Sequence, residues 1–216
     1  MAKKKRKVQL KNKTQPQQNN SNQKPQILLY SGGVSDGCSI FRMELPRKAL
    51  NESNQAICQI SNHLFPMAIP SGKGQMVVNP VYKNTHCVVK QRPTNPNELQ
   101  FSKTFKELQK QIQKTGQLSR FVIDVDDILH GDYVSKYNTN GKHFFDNKRF
   151  KTFAECVKQS DELHVCSKAM RDFYREEIGF EQVLYKPNFL PKYYYCLLYT
   201  SPSPRDQRGS RMPSSA

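Results

Sequence analysis

Apolar residues along this chain fall into two alternating rhythms. Short runs at Ile27–Tyr30, Cys87–Val89, Phe121–Ile123, Leu163–Cys166 and Val183–Tyr185 are bounded by turn-forming or charged residues, which predicts buried strands. Ala56–Ile60 predicts another strand. Between these runs lie longer stretches with helical spacing. Phe41, Leu45, Ala49 and Leu50 predict a helix over Ile40–Leu50 that begins near Pro46 or is kinked there. Leu99, Phe101, Phe105, Leu108 and Ile112 predict an amphipathic helix from Asn97 to Thr115, with Gly116 as its stop. A further helix is expected over Asn147–Lys158. Another is capped by Ser167, runs to about Ile178 and is followed by Gly179. Residues 61–82, with Pro66, Pro70 and Pro80 around Met76-Val77-Val78, predict no clear element.

Strands that alternate with helices of this length require crossover connections, so the expected fold class is α/β, a doubly wound and mostly parallel sheet. Ligands of such sheets bind beyond the carboxyl ends of the strands. The polar clusters of this chain follow its predicted strands: Ser31–Asp36, Gln91-Arg92, Asp124–Asp127, Ser167 and Asn188. In the first cluster, Gly32 and Gly33 permit close backbone approach to a phosphate or sugar, although an ordinary strand-to-helix turn reads the same way. The spacing matches neither a dinucleotide fingerprint nor a Walker A loop. Asp124, Asp126 and Asp127 place three carboxylates at one strand end, a concentration of like charge that cations, backbone N–H groups or a ligand must offset. Arg42 and Arg92 are candidate cleft cations for an anionic substrate, or members of ordinary ion pairs. No histidine has ligand-like spacing, so no metal is expected.

Charge and cysteine content narrow the setting. The chain holds 34 Lys and Arg against 18 Asp and Glu, a formal charge of +16. Residues 1–24 supply eight of those positive charges with no acid, and 196–216 supply two, which leaves +6 on 25–195. That remainder favours an anionic ligand or lipid surface and does not argue for nucleic acid, whose base-stacking aromatic pattern is absent. Residues 1–25 read as a disordered, basic, Gln/Asn-rich arm. Within it, Lys3–Val8 resembles a nuclear-import signal, as a solvated basic arm also would. Five cysteines before residue 196 are scattered, with no C-x-x-C pair, which fits reduced thiols in a cytoplasmic protein. No apolar run is long enough for a membrane span, although peripheral contact with a membrane stays open. Cys196 to Ala216 resembles translated sequencing adapter: back-translation fits two adapter blocks separated by nine bases for Gln207, Arg208 and Gly209. On that reading 191–216 is a non-domain tail, 26–190 is the domain, and the natural protein continues beyond Tyr195.

Several of these segments recur together in one family. Asp36-Gly37-Cys38-Ser39-Ile40-Phe41-Arg42, Gln91-Arg92-Pro93, Asp124-Val125-Asp126-Asp127, Ser160–Ser167 and Lys186-Pro187-Asn188 resemble, in that order, signatures of the family 4-like glycosyltransferases. The resemblance covers about residues 26–190. It implies the Rossmann-like N-terminal, acceptor-side half of a GT-B fold, with the donor-binding C-terminal half missing. Its substrates would be a nucleotide-sugar donor and a hydroxyl acceptor (sugar, lipid or protein), with no cofactor beyond the donor and no metal. The positions it carries over are Gly32, Gly33, Asp36, Arg42, Arg92 and Asn188 for substrate binding, with Asp126 and Asp127 as candidate catalytic groups. Cys38 and Ser39 depart from the usual pattern. This fragment would bind acceptor weakly and transfer no sugar alone. Two other readings stand beside it. Val122–Leu129 also resembles the first motif of haloacid-dehalogenase-type phosphatases, with Asp124 as nucleophile and Asp126 as acid/base, although that motif usually opens its domain. The basic arm alternatively marks a nucleic-acid-binding module.

Overall fold

The computed structural model describes residues 24–32, 37–72, 75–114, 119–137 and 139–188. Gly33 and Asp36, nearly all of the expected arm, and the tail 191–216 lie outside the described residues.

The chain alternates as its apolar rhythm predicts. β1 (Gln26–Tyr30) leads to a one-turn α1 (Gly37–Ser39), a π-helical turn at Ile40–Glu44 and α2 (Leu45–Glu52). Pro46 brings no N–H to the helical ladder, and the chain absorbs the lost bond by widening the preceding turn: the Leu45 N–H reaches back to the Ile40 carbonyl. The expected kink is thus a π-turn, and Arg42 sits on it. β2 (Ile57–Ser61) follows. The unreadable stretch then resolves into a small antiparallel hairpin, β3 (Ala68–Pro70) with β4 (Met76–Val78), and a short α3 (Pro80–Lys83) capped by Asn79. Strands of three residues are too short for periodicity to register.

From there the pattern is regular. β5 (Cys87–Gln91), α4 (Pro96–Gln113), β6 (Arg120–Val125), α5 (Lys148–Gln159), β7 (Glu162–Val165), α6 (Lys168–Ile178) and β8 (Val183–Tyr185) complete the described chain. α4 begins one residue before the expected Asn97, because Asn95 and Glu98 form a reciprocal capping box around Pro96. Ser167 caps α6 by accepting from the Met170 N–H, and Gly179 ends it at φ 68°, a left-handed conformation that glycine adopts without penalty.

Six strands form one parallel sheet in the order β2-β1-β5-β6-β7-β8. This is a Rossmann-like α/β architecture. Right-handed crossovers place α4, α5 and α6 together on one face. Tyr30, Phe121, Ile123, Leu163 and Val183 of the strands meet Phe105, Phe153 and Tyr174 of those helices there, all buried. An aromatic stack anchors this layer, with ring centroids 5.1 Å apart for Phe105–Phe121 and 5.6 Å for Tyr82–Phe105. The alternate strand positions face the other way, where Leu29, Cys58 and Val122 are buried with Met43 of the π-turn. Among the described residues, no helix is long and apolar enough to cross a membrane.

At the amino-terminal edge of the sheet, Asp161 ties three elements together. Its carboxylate accepts from the Phe121 N–H (2.8 Å), from Lys106 Nζ (2.8 Å) and from Gln109. Burial pushes this carboxyl up, but Lys106, the Phe121 N–H and Gln109 outweigh it and hold the group below its ordinary value. Unfolding removes those partners. The resulting stabilisation is therefore complete above the unfolded value of about 4 and is lost as pH falls through the lower folded value. Asp161→Asn is expected to flatten the decline of Tm below about pH 4. An acid limb as steep as that of the parent chain would remove Asp161 from this role.

Candidate functional site

The sheet reverses direction between β1 and β5: the chain moves from β1 outward to β2, then returns to continue from β5 on the other side. Connections diverge at such a point and leave a crevice at the carboxyl ends of the strands. Gly32, just after β1, lines two adjoining cavities there. One, of about 400 Å³, is shared with Tyr30, Lys90 and Asn62; the other, of about 300 Å³, with Arg92, Thr94 and Arg149. Asn95 and Glu98 at the start of α4 line both. Gln91 organises the junction. Its side-chain carbonyl accepts from the Gly32 N–H (3.1 Å) and from Ser39 Oγ (3.1 Å), and Ser31 Oγ donates to Ser39 (2.7 Å). The Gln91 Nε2 is buried and has no hydrogen-bond partner among the described residues. A Cβ on Gly32 would meet the Gln91 side chain at 3.8 Å and its backbone carbonyl at 4.0 Å, both ordinary contacts, so these described neighbours do not require glycine there.

Arg42 forms a deep ionic pair beside the crevice. Its Nε donates to Asp124 Oδ2 at 3.0 Å and its Nη2 to Oδ1, a fork-on-fork pair with both side chains about 95% buried. Its Nη1 donates to the Lys186 carbonyl (2.6 Å) and to Asn188 Oδ1 (3.0 Å). Burial pushes the Asp124 carboxyl up against the pull of Arg42, while the guanidinium, despite its own burial, is held above its ordinary value by that carboxylate. The expected cleft cation is therefore a structural tie, with its donors directed at the protein. It binds together three of the segments singled out in the sequence. The same geometry bears on the phosphatase alternative. An Asp124 that is 4% exposed and paired with Arg42 through both oxygens is poorly accessible to a substrate phosphorus.

Arg92 follows β5 with φ of 38°, a left-handed conformation costly for a residue with a Cβ, and its N–H donates to the Asp124 carbonyl at 2.9 Å. That turn carries its side chain to the acidic cluster, with Nε 3.8 Å from Asp126 and Nη1 3.3 Å from Asp127. Asp126 is mostly buried and Asp127 is exposed. Cys38 completes the group: its sulfur and one oxygen from each carboxylate lie within 4.8 Å of one another, a donor set able to hold a divalent cation. Burial, and then Asp126, push the Cys38 thiol up to about 12, so it is no nucleophile at neutral pH.

Compared with family models, with curated proteins and with solved structures, the chain has no match in any of the three. The site therefore rests on its own geometry. Of the residues singled out in the sequence, Gly32 and Arg92 line the crevice, Asp126 and Asp127 pair with Arg92, and the exposed Asn188 joins Arg42 at the outer side of its pair with Asp124. Sequence reasoning missed two features. Lys90, 4% exposed, pairs with Glu98 at 2.6 Å and forms a wall of the larger cavity. A lysine directly after Cys87-Val88-Val89 was its signal, since a buried cation demands a partner. Arg149, on the first turn of α5, also reaches the smaller cavity. Nothing local distinguishes it from neighbouring basic residues.

Proposed function

We propose that this chain is the acceptor-side domain of a glycosyltransferase that moves a sugar from a nucleotide-sugar to a hydroxyl acceptor. One observation carries the reading: Arg42 joins Asp124, Lys186 and Asn188, so three separate segments of the family-like pattern meet in one network beside the crevice. Segments that follow parallel strands share one edge of the sheet in any such fold, so the support lies in a single guanidinium joining three of them. The polar, open crevice also suits a polyol better than an apolar ligand, since its walls offer Asn62, Asn95, Thr94 and backbone groups.

On this reading Gly32 and its neighbours seat the acceptor. Asp126 or Asp127 accepts the proton of the attacking hydroxyl, with Arg92 placed to steady the carboxylate charge. Departure of the nucleotide diphosphate needs cationic or helix-terminal stabilisation, which a second Rossmann-like domain provides in a GT-B enzyme. Chemical-shift mapping with a panel of monosaccharides and nucleotide-sugars tests it. Movement is expected at Gly32, Arg92 and Asp126, and no response at these positions with any compound overturns the reading. Hydrolysis of p-nitrophenyl phosphate that vanishes in Asp124→Asn would instead favour the phosphatase.

A further inference from the structure

We infer that the cavity bounded by Gly32, Arg92 and Arg149 takes the phosphate or carboxylate group of an anionic acceptor, with Arg149 as its principal cationic contact. The inference rests on the acceptor-side reading above and specifies the substrate class.

Arg149 is exposed, lines this cavity, and makes no ion pair or hydrogen bond with any described residue; its guanidinium carbon lies 5.6 Å from the Phe144 ring centre. That stacking limits its rotamers while leaving the N–H fork open to a ligand, which reduces the ordering cost of binding. Its position is electrostatically unusual. The first turn of α5 carries Lys148 and Arg149 and no acid, at the end of the helix where the backbone dipole already adds positive potential. Lys148 has Asp146 beside it at 3.5 Å, whereas Arg149 has no such neighbour. At the helix end the Lys148 N–H already donates to Asp146 at 3.0 Å, so an arriving anion would be held by the Arg149 side chain rather than by the helix end itself.

The carboxylate that also lines this cavity does not oppose such a ligand. Glu98 accepts from Lys90 at 2.6 Å through Oε1, and from the Thr94 and Asn95 N–H groups at 2.7 and 3.2 Å through Oε2. Its charge is neutralised from behind and its lone pairs are turned away. Across the cavity, Arg92 lines the wall, with Nε 3.8 Å from Asp126 and Nη1 3.3 Å from Asp127. Gly32 adds no side chain to the floor.

Titration calorimetry on the full chain tests this with glycerol phosphate, glycerate and uncharged glycerol. Glycerol phosphate or glycerate is expected to bind about tenfold or more tightly than glycerol, and the comparison of the two anions identifies phosphate or carboxylate as the preferred group. Arg149→Ala should erase that preference without lowering Tm, and Arg149→Lys should retain part of it. Lys103→Ala, which removes an exposed charge elsewhere on the surface, should leave it intact. Equal affinity of parent and Arg149→Ala for both anions overturns the inference, as does an equal loss in Lys103→Ala. Anion binding through Arg149 with no response to sugars or nucleotide-sugars would sink the glycosyltransferase reading and leave the anion site standing. Sugar binding that ignores Arg149 does the reverse.

Discussion

Arg42→Met is expected to destabilise the fold by about 3–5 kcal/mol, because it strands the Asp124 carboxylate in the interior without its partner. For a domain of this size that corresponds to a fall in Tm of roughly 6–20 °C. The loss is not the value of the ion pair, since desolvating both charges offsets much of their attraction. It is the cost of leaving one of them alone. The double variant Arg42→Met/Asp124→Leu removes both charges and should recover most of the loss, and Asp124→Asn alone should be milder than Arg42→Met. Thermal melts of the three variants decide the matter. A fall of under about 1 kcal/mol for Arg42→Met would mean that Asp124 does not depend on this tie. Because Arg42 also holds Lys186 and Asn188, protease sensitivity should rise after β8 in the same variant.

Phe105→Ala is expected to cost about 3–5 kcal/mol for a different reason. Phe105 is fully buried between Tyr82, Phe101 and Phe121, at the centre of the aromatic layer under α4. Removing the ring loses its transfer energy and leaves a hole that rigid aromatic neighbours cannot close. Phe145→Ala serves as the control: that side chain is 45% exposed, and its loss should cost less than about 0.5 kcal/mol. Equal effects of the two substitutions would show that the layer is not packed as described.

The two experiments bear on different kinds of information. Phe105 was legible as a core residue from its spacing with Phe101, Leu108 and Ile112, because a helix face is set within a few residues. The same holds for the strand at Phe121–Ile123, the Ser167 cap and the Gly179 stop. Where the sequence failed, the cause was equally local. β3, β4 and α3 are too short to establish a period, and the Asn95 cap lies two residues before the Asn97 start that the apolar spacing gave.

The candidate site divides along the same line. Its residue types and their placement after strands could be read directly: Gly32 lines the crevice, and Asp126 and Asp127 pair with the Arg92 that also lines it. Their roles could not be read. Arg42 and Arg92 looked equivalent as possible cleft cations, yet one is buried in a fork-on-fork pair and the other lies along a cavity wall.

By itself, then, the sequence determined the alternation of strands and helices, the core faces and the α/β class, since backbone propensity, side-chain period and capping act between near neighbours. The tertiary structure alone decided which charges meet. Arg42 finds Asp124 across 82 residues and Asn188 across 146, and Arg149 reaches the cavity beside Gly32 from a different helix. Those choices depend on which strands the crossovers set side by side, and the free energy of an ionic group is set by its distance from partners and from water rather than by its neighbours along the chain.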